Sequence, residues 1–332
     1  MTKDTAKSNP KIVVIGGGTG SFTVLSSLKK YSSNLTAIVS MADDGGSTGV
    51  LRDELGTLPP GDVRQCLVAL STTSKVRDLF NYRFEEGTFG GHSFGNILLT
   101  ALEKVTGNFA EGVETASKIL RVRGTVLPAT LDNVRLKMSW DDLSVELHGE
   151  RVIDADHFVH DPRKARLSLV PDAQPNPKAI QAIHEADVVI IAPGDLYTSL
   201  GPLLVIDGFG DALKQTKAPV IYVCNLVTKH GQTDNFTVAD HASEIERFAG
   251  VDCIDTVLYN VERPAKNLLE RYEDEEAYIV ESGELDDTHY TTVGIELLGA
   301  IAENEHDTIP VVRSLIRHDH DKLGSAIMGL VR

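Results

Sequence analysis

The stretch Lys11-Ile12-Val13-Val14-Ile15-Gly16-Gly17-Gly18-Thr19-Gly20-Ser21 decides how the rest of the chain is read. Its run of apolar β-formers predicts a strand buried on both faces. Between Gly16 and Gly20 only Thr19 carries a β-carbon, so the backbone of this turn can approach a ligand closely. Phe22, Leu25 and Leu28 follow at helical spacing and predict a helix over 22–31. The free N–H groups and positive dipole end of that helix would face the turn, an arrangement suited to a phosphate.

Outward from this point the chain alternates strands and helices. Leu35 to Val39 reads as a second buried strand, completing a βαβ unit. A long Gly-, Asp- and Pro-rich loop is expected over 40–62, then helices over 63–70 and 76–84. After a second glycine cluster, Gly87 to His92, Ser93 is placed to cap a helix over 94–105, and another helix is expected over 109–121. The alternation in 134–140 and 143–148 around Asp141-Asp142 is a hairpin signature, and 166–170 adds a strand. Residues 126–175 therefore read as an inserted antiparallel segment. Buried strands return at 187–192 and 219–224, with helices over 178–185, 208–215 and 238–248. Strands are expected at 253–259 and 277–280, an exposed acidic run at 273–276, and a closing helix over 322–331. The fold class is α/β: a Rossmann-like three-layer α/β/α arrangement with a mostly parallel sheet and a small antiparallel insertion. Residues 1–10 read as a flexible tail and 11–332 as a single domain.

The 332 residues carry a formal net charge of −16. That excess of acid argues against nucleic acid or an anionic membrane as partner. No run approaches the roughly 18 apolar residues of a membrane span, and the N-terminus lacks a signal-peptide core. A cytoplasmic protein without membrane insertion is the expectation, and a homo-oligomer is compatible with it. Cys66, Cys224 and Cys253 have neither metal-ligand nor disulfide spacing and read as small buried hydrophobes.

Ligands of such sheets bind beyond the carboxyl ends of the strands, where the unusual residues fall. These are Gly16 to Ser21, then Asp43-Asp44-Gly45-Gly46-Ser47, then Pro193 to Ser199, then Asn225. The first turn is neither a complete dinucleotide fingerprint, since Ser21 holds the third glycine position, nor a P-loop, since no Gly-Lys-Ser/Thr follows. A tight turn without ligand and an NAD site are the competing readings of the glycines. Asp43 and Asp44 can bind a divalent ion or ribose hydroxyls, deprotonate an acceptor hydroxyl, or merely cap an Asx-turn. Asp53 and Glu54 near Arg52 read as surface ion pairs. Asp62 and Arg64 read equally as a helix cap with its local pair or as ligand-facing groups. His92 has no second ligand at zinc spacing, and Ser199 lies in no nucleophile elbow.

Gly16 to Gly20, Ala42 to Gly49, Leu58 to Arg64, Gly91 to Asn96, Pro193 to Ser199, Cys224-Asn225 and Thr233-Asp234 together resemble the YvcK-type gluconeogenesis factors. These are relatives of the 2-phospho-L-lactate transferase of deazaflavin coenzyme synthesis, and the motifs run from about residue 11 to 320. The resemblance implies a CofD-like, Rossmann-like protein that binds a nucleotide sugar of the UDP-N-acetylglucosamine type. It also implies a need for the protein in cell shape and cell-wall homeostasis on gluconeogenic carbon, with no reaction established for this branch. The transferase relatives imply the alternative, a phospholactyl-type transfer from a guanosine-linked donor with magnesium. Carried over, Gly17, Gly18, Thr19, Gly20 and Ser21 would contact phosphates. Asp43 and Asp44 would face the ligand or, in a transferase, the metal and acceptor. Asn96, Pro193, Gly194, Leu196, Thr198, Ser199 and Asn225 would complete the pocket, and Arg317 would neutralise the diphosphate. Val50, Thr48, Gln65, Asp195 and Gly201-Pro202-Leu203 depart from the family pattern. Asp195 matters most, because an acid there repels a phosphate or requires a metal.

Overall fold

Alternate residues of the first strand serve two different cores. A computed structural model describes residues 9–274, 276–299 and 316–331. In it β1 (Ile12–Gly16) sends Ile12 and Val14 to one face of the sheet and Val13 and Ile15 to the other. β2 (Leu35–Val39) and β3 (Thr125–Pro128) extend the sheet on one side of β1. A separate antiparallel sheet follows in the chain, formed by β4 (Arg135–Trp140), β5 (Val145–His148) and β6 (Arg166–Val170) in the order β5-β4-β6. β7 (Val188–Ile191), β8 (Val220–Val223), β9 (Thr256–Asn260) and β10 (Thr291–Ile295) complete the main sheet. Its order is β10-β9-β8-β7-β1-β2-β3, and every pairing in it is parallel.

That order fixes where a ligand can enter. The chain builds outward from β1 through β2 and β3, then returns to β7 on the other side and builds outward again. The direction reverses between β1 and β7, which opens a crevice at their carboxyl ends. The Gly18–Leu28, Gly61–Leu70, Phe94–Thr106, Phe109–Leu120 and His320–Leu330 helices cover one face. The Pro177–Glu185, Phe209–Gln215 and Val238–Ala249 helices and the antiparallel sheet cover the other.

Several expectations shift. The first helix begins at Gly18, not at 22, with Gly17 as its cap, so most of the glycine turn is itself the first helical turn. The long loop over 40–62 contains the Gly46–Leu55 helix, ended by Gly56 at φ +64°. Gly, Ser and Thr are poor helix formers, and this helix is held instead by burial of Leu51 and Arg52. The inserted segment starts after Pro128 rather than at 126, because β3 belongs to the main sheet. Its two ends are tied by Asn176, whose Nδ2 donates to the Pro128 carbonyl at 2.9 Å. β9 begins at Thr256, and 277–280 forms only an isolated bridge, Val227 with Ile279. The structure adds the Lys266–Glu273 helix, whose buried Leu268 and Tyr272 lie one helical turn apart, and β10. The cysteines are buried and free, as expected. Residues 1–8 of the expected tail lie outside the described residues. No described helix is long and apolar enough to cross a membrane.

Candidate functional site

Four segments meet at the crevice: the glycine turn after β1, the loop after β2, the turn after β7 and Asn225 after β8. Missing β-carbons let them close on one another. A Cβ on Gly17 would lie 3.1 Å from the Ser199 side chain, and one on Gly20 would fall inside the Pro193 carbonyl. Asn225 clamps the turn after β7 from both sides: its Oδ1 accepts from the Gly194 N–H at 3.0 Å, and its Nδ2 donates to the Gly194 carbonyl at 2.9 Å. Ser199 in turn donates its N–H to the Asp195 carbonyl at 3.0 Å. Leu196, Thr198 and Ser21 are buried. Leu196 packs in the core, Ser21 Oγ lies against Gly16, and Thr198 reaches Asp154 at 3.4 Å. Thr19 is exposed and donates to Gln65 at 3.2 Å.

The two expected aspartates part company. The Asp44 side chain is 7% exposed and already engaged. Its carboxylate accepts from Arg135 at 3.1 Å and from the Glu150 and Arg151 N–H groups at 3.2 and 2.7 Å. It thereby caps the Glu150–Ala155 helix of the insertion and ties the β2 loop to it. Asp43 accepts from the Gly45 N–H at 2.9 Å, and burial holds its carboxyl above the usual range despite that bond and the Thr48 hydroxyl. The helix beginning at Gly61 presents Asp62 to the glycine turn, where it accepts from the Gly18 N–H. Burial and then the charge of Asp43 push Asp62 up to about 7. Glu150 is pushed up to about 9, by burial first and then by Asp43, Asp154 and Asp44. Asp43, Asp62 and Glu150 thus crowd the cleft and strain against joint ionisation. Carboxylates are hard donors suited to magnesium, but among the described residues the oxygens of these three are not gathered around one ion position.

Cations ring this cluster. Lys229 pairs with both Asp154 of the insertion and Asp195 of the β7 turn. The repulsion expected from Asp195 is therefore met by a resident ammonium. On the far wall Asn96 donates to Ser47 Oγ at 3.2 Å, Arg64 donates to Asn96 Oδ1 at 2.9 Å, and His92 Nδ1 stands 3.0 Å from the Ser47 hydroxyl. Ser93 caps its helix through the Asn96 N–H. Arg317 is exposed, next to His318, which is buried against Cys224 at the end of β8 and held neutral by that burial. Asp53 pairs with Arg135, not with its neighbour Arg52, which is buried. A separate group, Glu246, Asp252 and His289, lies at the opposite, amino-terminal edge of the sheet.

The model of the family described as 2-phospho-L-lactate transferase CofD matches residues 12–299. The chain belongs to the CofD family. Within it the chain is similar to the gluconeogenesis factors of Bacillus subtilis strain 168, at 38% identity over 97% of this chain and 98% of that one, and of Listeria monocytogenes, at 36% identity over 100% and 98%. A crystal structure of protein BH3568 from Bacillus halodurans superposes with a TM-score of 0.87 at 37% identity, covering 96% of this chain and 99% of that one. The YvcK-type, CofD-like assignment and the Rossmann-like fold therefore hold.

In this CofD-family chain, the residues that local pattern did not point to are Glu150, Asp154 and Lys229. They come from an insertion helix and from a loop beyond Asn225, and only the fold brings them to the crevice. One consequence is measurable. Asp62 titrates near 3.8 when unfolded and about 7 when folded, so the folded protein holds the proton more tightly. Its contribution to stability is full below about pH 4 and is lost as pH rises towards 7. Asp62→Asn keeps an acceptor for the Gly18 N–H and removes the charge. Its melting temperature should exceed wild type at pH 8 and gain less at pH 5; equal gains at both would show that Asp62 does not titrate in this window.

Proposed function

We propose that this protein binds a nucleotide sugar of the UDP-N-acetylglucosamine type in the crevice between β1 and β7, and acts through it as a non-catalytic regulator. The observation that carries the reading is the close meeting of the glycine turn, the β7 turn and Asn225 at the point where strand order reverses. The name of its relatives, gluconeogenesis factor, supports a role in growth on gluconeogenic carbon, with cell shape and wall homeostasis as the process served. The test is thermal unfolding with UDP-N-acetylglucosamine. At 100 times Kd the ligand should add about 2.7 kcal/mol of stability, and Asn225→Ala should lose most of it. Absence of a shift with every UDP-sugar would reject the reading.

The carboxylate cluster favours a second reading, a magnesium-dependent transferase of a phosphorus-containing group with a guanosine-linked donor. Asp43, together with phosphate oxygens of the donor, would hold the ion, which would neutralise the diphosphate. This reading expects preference for GDP or GTP and loss of binding on adding EDTA. Asp43→Asn with unchanged ligand binding and turnover would exclude it.

A further inference from the structure

Beyond Asn225 the carboxyl edge of the sheet holds a cavity that none of the motifs accounts for. Its volume is about 370 Å³, and Phe236, Tyr272 and Tyr278 supply aromatic walls, with Leu269 beside them and Arg263 and Thr228 among its polar groups. That size falls in the range of small-ligand sites, and apolar walls with a few polar groups are their usual composition.

The walls are held in place. The segment bearing Tyr278 is pinned antiparallel to the loop after β8: Thr228 donates its N–H to the Tyr278 carbonyl at 2.7 Å, and the Tyr278 N–H returns to Thr228 Oγ1 at 2.9 Å. Tyr272 is fixed by its hydroxyl, which accepts from the Ile316 N–H at 3.0 Å. Phe236 packs edge-on to His241. Tyr278 by contrast leaves 51% of its surface open, and Arg263 pairs with Glu281 at 2.7 Å while both remain exposed. The cavity therefore offers fixed rings, one open aromatic face and donor and acceptor groups, which is what a planar heteroaromatic ring requires.

Its position ties it to the crevice. Thr228 lies three residues past Asn225, so their α-carbons are at most about 10 Å apart. Lys229, next in the chain, carries its ammonium back to Asp195 at the β7 turn at 3.4 Å. The cavity and the crevice therefore meet along one stretch of loop, from Asn225 to Lys229. We infer that the cavity walled by Phe236, Tyr272 and Tyr278 takes the nucleobase of the ligand whose diphosphate lies at the glycine turn. This rests on the nucleotide reading above. Among the described residues, the rings of Tyr82, Phe84 and Phe89 beyond His92 form a rival platform. These pack on one another at 5.1 and 5.5 Å with Tyr82 and Phe89 more than half exposed, whereas the equally exposed Tyr278 shares its cavity with the buried rings of Phe236 and Tyr272.

The experiment uses the full chain with 5-azido-UDP-N-acetylglucosamine as photoprobe and calorimetry with UDP-N-acetylglucosamine and inorganic pyrophosphate. The label is expected on peptides from 228–281. Tyr278→Ala should bind the nucleotide sugar about tenfold more weakly, Tyr278→Phe should restore it, and pyrophosphate affinity should not move in either variant. Because Tyr278 is half exposed, these variants should melt like wild type. Labelling of 82–92, or unchanged affinity in Tyr278→Ala while wild type binds, would overturn the base site and leave the nucleotide reading standing. No binding of nucleotide sugar by wild type would overturn that reading, and the base site with it.

Discussion

Gly20→Ala should destabilise the protein by about 3 kcal/mol or more and abolish ligand binding. Helix propensity alone points the other way, since alanine is favoured over glycine by about 1 kcal/mol inside a helix. Sterics decide against it. The new Cβ would fall inside the Pro193 carbonyl oxygen, a contact of one backbone with another that no side-chain rotation relieves. Either the helix or the β7 turn must move, and overpacking that shifts backbone costs about 1–3 kcal/mol and at times more. The displaced pieces are the two sides of the crevice, so binding should fail with stability. Urea unfolding gives the loss directly. Gly329→Ala is the control: it lies in the His320–Leu330 helix with nothing within 4 Å of the added Cβ, and it should be neutral or slightly stabilising. A Gly20→Ala protein as stable as wild type would mean that the turn yields at this contact without cost.

Arg52→Met should cost about 3–5 kcal/mol, because it strips the donors from several buried acceptors at about 1–3 kcal/mol each. Arg52 is 2% exposed. Its guanidinium donates to Asn133 Oδ1 at 3.0 and 2.6 Å, to the Val134 carbonyl, and to the Asp43 carbonyl at 3.4 Å. Methionine refills the volume but leaves these acceptors without a donor. It also removes a positive charge that offsets Asp43 and Asp44. Asp43 already titrates above its unfolded value of 3.8, so stability falls as pH rises through that window, and loss of Arg52 steepens the fall. The deficit measured by urea unfolding should be larger at pH 8 than at pH 5. Arg52→Lys should rescue little, because an ammonium cannot reproduce the forked donors. A deficit below about 1 kcal/mol would show that the β2 loop does not depend on this anchor.

The elements legible in the sequence are those whose cause is local. β1, β2, β7 and β8 are unbroken apolar runs because both faces of the strand are covered. The Phe94–Thr106 helix announces itself through Ser93 as cap and through its apolar spacing, and β4 with β5 through alternation about Asp141-Asp142. The Gly46–Leu55 helix was hidden, since its first residues disfavour helix and its stability comes from burying Leu51 and Arg52 against other parts of the chain.

The site divides in the same way. The glycines, Asp43, the Pro193 to Ser199 turn and Asn225 stand out as residue types that only special backbone or ligand chemistry requires. The sequence by itself therefore determined that the chain is a parallel α/β protein with chemistry at the carboxyl ends of its strands. Strand order was decided only by the tertiary structure, which placed β7 beside β1 and so located the crevice. The structure also decided that Asp44 is engaged by Arg135 and the insertion helix, that Asp62 faces the glycine turn, and that Lys229 neutralises Asp195. Those outcomes depend on Coulomb interactions and hydrogen bonds between residues 34 to 107 positions apart, and no local pattern encodes such distances.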